Sequence, residues 1–360
     1  MTADPLHARL LVVVGAGGVG KTTLAAALGS VVAADGARTL VMTFDPSQRL
    51  KDALNVGRAA ADQFVRVPMA GQGSLDVSLL DARATFDRLV ARYAPDAAAA
   101  DRIFQNRFYQ HLAGHLAGVL EYMAVERLFE VAADGGYDRI VLDTPPTRQA
   151  LDFLEAPDRI IGFLDSGALR IALKPWFTRG GVLRGGAVRQ RVAGWLDQLV
   201  GLSLLRDMAE FFQAFGPLYA GFRERARDVQ GLLRDRETRF LLVSGPGEER
   251  VADTLFFARR LRQSGHHVAG LAVNQVHPVV PGAADAAGGV GLLAWLGERD
   301  ARGIAHLRRL VTDGTPVADL PLLPSPPTGL TALDALGRLL LERLATAGPN
   351  RRSPRRGKRS

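Results

Sequence analysis

Six runs rich in Val, Leu and Ile recur along the chain, at Leu10–Val14, Thr39–Phe44, Arg139–Leu142, Phe240–Val243, Val268–Val273 and Val317–Leu320. None keeps a strict alternation with polar residues, and continuous apolar runs mark strands covered on both faces. Stretches with helical spacing separate them. The expected fold class is therefore α/β, a doubly wound, mostly parallel sheet. Ligands of such sheets sit at the carboxyl ends of the strands, where Gly15, Asp45, Asp143 and Asn274 all fall.

The spacing between the second and fourth runs is too long for a simple crossover, and a second long interval runs from Pro157 to Glu237. Both read as helical. Leu205, Met208, Phe212, Phe215, Tyr219 and Phe222 recur at three- and four-residue steps, as do Val188, Val192, Trp195 and Leu199. These intervals predict an inserted α-helical subdomain, from about 84–135 and 157–236, within one domain spanning 1–347. The Leu205–Phe222 stripe reads first as core. Its alternative is a groove for an apolar client, although Met208 is its single methionine and promiscuous grooves favour methionine. Gly180, Gly181, Gly185 and Gly186, with Arg179 and Arg184, read as a basic loop between helices.

A net charge of +8 suggests a nucleic-acid partner until it is located. The tail 348–360 holds Arg351, Arg352, Arg355, Arg356, Lys358 and Arg359 and no acid, so six of those charges lie there. It reads as a basic, disordered terminus, and no specific nucleic-acid partner is expected. The 360 residues contain no cysteine, which excludes disulfides and thiolate zinc sites. His111 and His115 stand four apart on a predicted helix with no third ligand evident, so no zinc is expected. The first residues show no leader pattern and no run of eighteen apolar residues occurs, so a soluble, cytoplasmic protein is the expectation.

The chemistry concentrates in Gly15-Ala16-Gly17-Gly18-Val19-Gly20-Lys21-Thr22-Thr23, directly after the first apolar run. It fits the phosphate-loop pattern G-x-x-x-x-G-K-[ST]. Glycines let backbone N–H groups of Gly17–Thr23 converge on phosphates, Lys21 supplies charge, and Thr22 supplies a hydroxyl for Mg²⁺. The same glycines, Gly15, Gly17 and Gly20, spell the dinucleotide fingerprint, and Asp45 falls where a ribose-binding acid is needed. That reading predicts an NAD-dependent dehydrogenase but leaves Lys21, Thr22 and Asp143 idle. An ATPase uses them all. Asp143 would orient Mg²⁺ through a water and Asp45 would position the attacking water, although an aspartate ending a strand is also a common turn former.

Four motifs in order, Ala16–Thr23, Asp45-Pro46-Ser47, Asp143-Thr144-Pro145-Pro146-Thr147 and Val273-Asn274-Gln275, resemble the arsenite-pump ATPase (ArsA) and tail-anchored-protein targeting ATPase family. Glu121-Tyr122-Met123-Ala124 adds to the likeness, which runs from about Leu10 to Leu344. Members are deviant-Walker P-loop ATPases that dimerise face to face, so the resemblance implies an ATP- and Mg²⁺-dependent homodimeric switch. It leaves open a membrane-protein partner, a hydrophobic client, or a nucleotide-gated chaperone with little turnover. Carried over, it makes Lys21, Asp45 and Asp143 catalytic, Asn274 the adenine-reading residue, and Pro321 and Leu322 part of the base loop. The family's signature lysine is replaced by Ala16, and Arg148 stands where the family continues with glycine and histidine. Arg148 is a candidate substitute for that lysine, a solvated helix-start residue being the alternative.

Overall fold

The structure is a computed structural model and describes residues 8–44, 49–54, 63–107, 109–110, 119–165, 207, 210–211, 219–280, 288–311 and 313–347. Its elements are β1 (Leu10–Gly15), α1 (Lys21–Ala34), β2 (Arg38–Thr43), α2 (Arg49–Leu54), β3 (Phe64–Val67), β4 (Ser74–Leu79), α3 (Ala82–Tyr93) and α4 (Ala97–Phe104). Then follow α5 (Val119–Asp134), β5 (Arg139–Asp143), α6 (Thr147–Asp165), α7 (Tyr219–Arg234), β6 (Thr238–Ser244), α8 (Val251–Gln263), β7 (Val268–Val276), α9 (Gly288–Leu310), β8 (Val317–Pro321) and α10 (Leu330–Thr346).

Each of the six apolar runs forms a strand of one eight-stranded sheet, in the order β3-β4-β2-β5-β1-β6-β7-β8. All neighbours are parallel except β3 and β4. This is the doubly wound α/β class. The first long interval, read as helical from its length, also contains β3 and β4. Their signal is weak because β3 has four residues and β4 (SLDVSL) places Asp76 in a strand. Arg66 Nε donates to Asp76 Oδ1 at 2.5 Å and Tyr137 OH to Oδ2 at 2.9 Å, which offsets the burial of this acid.

The chain divides into two units: 1–80 with 134–150 and 233–360, and 81–133 with 151–232. The first holds the sheet. Its helix α1 is buried almost throughout, from Leu24 to Ala33, as expected for a helix apolar all round. A Cβ on Gly337 of α10 would come within 2.6 Å of Ala27 O, so the two helices cross at backbone distance. In the second unit Phe86, Tyr109, Tyr122, Phe211 and Phe222 form a separate aromatic-rich core. There α6 runs through Pro157, the expected subdomain boundary. A helix loses one backbone bond at an internal proline but need not end there.

Several expectations lie outside the described residues: Asp45 with its loop, His111, His115, the 188–199 stripe, the stripe residues Leu205, Met208, Phe212 and Phe215, the Gly180–Gly186 loop and the tail. The side chains of Arg148 and Tyr219 do too. Phe222, the last residue of the stripe, is buried in the second unit's core.

Candidate active site

The site grows from the carboxyl ends of β1, β2, β5, β7 and β8. Gly15 ends β1 opposite Val243, and a Cβ there would lie 2.0 Å from Val243 O, so a glycine is required by backbone approach. The chain then turns through Gly18 at φ +77° and Gly20 at φ +89°, values that L side chains rarely adopt. Gly20 is the N-cap of α1 and offers no side chain to its first turn. First-turn N–H groups lack intrahelical acceptors and carry the positive end of the helix dipole. They are suited to phosphate oxygens.

Lys21, the first residue of α1, is 7% exposed and donates from Nζ to Ala16 O at 2.8 Å. The lysine thus lies back across the loop it belongs to. Thr22 Oγ1 donates to Asp143 Oδ2 at 2.7 Å, joining the head of α1 to the end of β5 across 121 residues of sequence. Thr144, next to Asp143, donates from Oγ1 to Val13 O at 2.9 Å and anchors the β5 end to β1.

Asn274 near the end of β7 is buried and donates from Nδ2 to Val19 O at 2.9 Å. One amide hydrogen therefore holds the phosphate loop. Val19 itself buries its side chain in the core. Pro321 ends β8 and the half-exposed Leu322 follows it, with Val276 and Pro321 in register and Leu322 N–H donating to Val276 O at 2.8 Å. The structure thus brings Gly17–Thr23, Lys21, Asp143, Asn274, Pro321 and Leu322 to one edge of the sheet. Sequence reasoning missed Thr43, whose hydroxyl also donates to Asp143 Oδ2, at 3.0 Å. Aligning the second apolar run with the third would have placed them side by side.

Hydroxyl and carboxylate oxygens are the donors Mg²⁺ prefers, and the open space about Gly18, where an added Cβ would meet nothing within 4 Å, suits a phosphate group. The residues fit Mg²⁺ and a nucleotide phosphate. Gly20 is the tighter position, since a Cβ there would lie 2.4 Å from Asn274 Nδ2. Gly18→Ala should cost about 1–2 kcal/mol from its left-handed backbone alone. Gly20→Ala should cost more, by displacing Asn274, and should weaken nucleotide binding. Urea unfolding with nucleotide titration checks the order of the two.

Residues 8–177 match the family model described as anion-transporting ATPase. Protein Rv2184c of Mycobacterium tuberculosis is 35% identical over 166 residues, 43% of this chain and 39% of that protein. The uncharacterized protein SCO2128 of Streptomyces coelicolor is 28% identical over 306 residues, 83% of this chain and 72% of its own length. The putative arsenical pump-driving ATPase of Halobacterium salinarum is 26% identical over 276 residues, 72% of this chain. The chain spans 39% of the length of the first and third of these relatives. A phosphate loop on β1, its threonine bonded to the β5 aspartate, and these likenesses agree: over residues 8–177 the chain is similar to the ArsA-type ATPase family.

Proposed function

We propose that this protein binds ATP with Mg²⁺ and hydrolyses it as a homodimeric switch in the cytoplasm. The observation carrying the proposal is the Thr22–Asp143 hydrogen bond of 2.7 Å beside the buried Lys21. A carboxylate accepts and never donates, so Thr22 spends its proton on Asp143 and keeps its lone pairs for a cation. Thr22 would hold Mg²⁺ directly and Asp143 through a water. Bound Mg²⁺ would supply charge neutralisation between the phosphates. Lys21 is suited to the terminal phosphates, Gly17–Thr23 to their oxygens through backbone N–H groups, and Asn274, Pro321 and Leu322 to adenine. Asp45 is assigned the attacking water.

Exposed apolar side chains on α9, Val290, Leu292, Leu293 and Trp295, support a covered surface and hence the dimer or a hydrophobic client. Ala16 favours a second reading, in which the protein is a nucleotide-gated binding module or chaperone with little turnover. The dinucleotide reading leaves Lys21 and the Thr22–Asp143 pair without a task. Calorimetric titration with ATP and with NAD, each with and without Mg²⁺, tests the proposal. ATP should bind tighter with Mg²⁺, and single-turnover mixing should release phosphate. NAD binding in place of ATP would overturn the reading, and ATP binding without phosphate release would favour the gated module.

A further inference from the structure

Thr43 ends β2 and Asp143 ends β5, and the two are partners in the register of that parallel pair. Both are buried, at 4% and 1% exposure. Thr43 Oγ1 donates to Asp143 Oδ2 at 3.0 Å, and Thr22 Oγ1 donates to the same oxygen at 2.7 Å. One carboxylate oxygen is thus fixed by two hydroxyls from two separate elements. Such a pair of charge-assisted bonds defines both the position of the oxygen and the rotation of the carboxyl group. A hydroxyl that merely filled strand space would not need to share an acceptor with the phosphate-loop threonine.

We propose that Thr43 is a positioning residue for the Mg²⁺-dependent part of nucleotide binding. It acts through Asp143: by fixing the carboxylate it directs the Thr22 proton and so the lone pairs that Thr22 turns outward. Groups that orient metal ligands from behind change metal affinity severalfold or more without touching the metal. Thr43 also stands two residues before Asp45, so the strand leading into that acid is hydrogen-bonded to the carboxylate of the cation site. The inference rests on the Mg²⁺-nucleotide reading above and adds a residue to it.

Thr43→Val keeps the branched shape that suits a strand and replaces the hydroxyl by a methyl group. The test is the affinity of the protein for a fluorescent ADP analogue, measured across a Mg²⁺ titration and in EDTA, for the native protein, Thr43→Val, Thr43→Ser and, as a second donor-less variant, Thr43→Ala. Affinity in EDTA should agree within about twofold for all four. The Mg²⁺ concentration giving half of the gain in affinity should rise about tenfold in Thr43→Val and Thr43→Ala and return to near native in Thr43→Ser. An unchanged Mg²⁺ midpoint in the donor-less variants, with a clear Mg²⁺ gain in the native protein, overturns the role of Thr43 alone. So does a serine variant as impaired as the valine one, because packing would then be the cause. Absence of any Mg²⁺ gain in the native protein overturns the underlying reading, and this inference with it.

Discussion

Replacing Lys21 by methionine is expected to lower ATP turnover by about two to three orders of magnitude while leaving the fold intact. The lysine is buried at the head of α1, with its ammonium on Ala16 O at 2.8 Å. A carbonyl dipole offsets only part of what an ammonium loses on leaving water. Phosphate oxygens carry full charge and would attract an ammonium more strongly than a carbonyl does. Methionine preserves the apolar stem and deletes that charge, and its unliganded form should melt within a few degrees of the native protein. With alanine at position 16 the loop has no other lysine to share the work, which makes Lys21 harder to replace here. Phosphate release, measured alongside thermal unfolding, checks this. A variant that folds normally and retains turnover within about tenfold would contradict the assignment.

The sheet was legible because six of its strands are buried on both faces and so appear as uninterrupted apolar runs. Strands β3 and β4 escaped for the opposite reason. Asp76 interrupts the second of them, and the residues that make it acceptable, Arg66 and Tyr137, lie in other segments. The site shows the same division. Gly15–Thr23 and Asp143 announce themselves through residue type and spacing, since a phosphate cradle needs consecutive glycines and a neighbouring lysine. Thr43 does not, because a threonine near the end of an apolar run looks like ordinary β-branched filling until its partner across the sheet is known. Nor could the sequence show that Asn274 holds Val19 O, a contact between residues 255 apart. It is consequently a brace for the phosphate loop, apart from the base contact proposed for it.

Arg225→Met should destabilise the helical unit by about 3–5 kcal/mol at neutral to alkaline pH, because it leaves a buried carboxylate without its cation. Glu126 in α5 is fully buried, accepting from Arg225 Nε at 2.5 Å and from Tyr122 OH at 3.3 Å. The guanidinium also lies 4.1 Å from the centre of the Phe129 ring, so one side chain serves both an ion pair and an aromatic face. Burial pushes the Glu126 carboxyl above the usual range, and Arg225 pulls it back only in part. The sign of the pH dependence follows. With its folded pKa above the unfolded value of about 4.3, Glu126 binds its proton more tightly in the folded chain. Stability is then highest below that value and declines as pH rises towards the raised folded pKa. Removing Arg225 raises that folded pKa further and widens the window. Urea unfolding should therefore show a smaller loss for Arg225→Met at pH 5 than at pH 8, and Glu126→Gln in the same chain should recover most of the loss at pH 8. A penalty independent of pH would mean that the arginine matters through its packing on Phe129 and not through its charge.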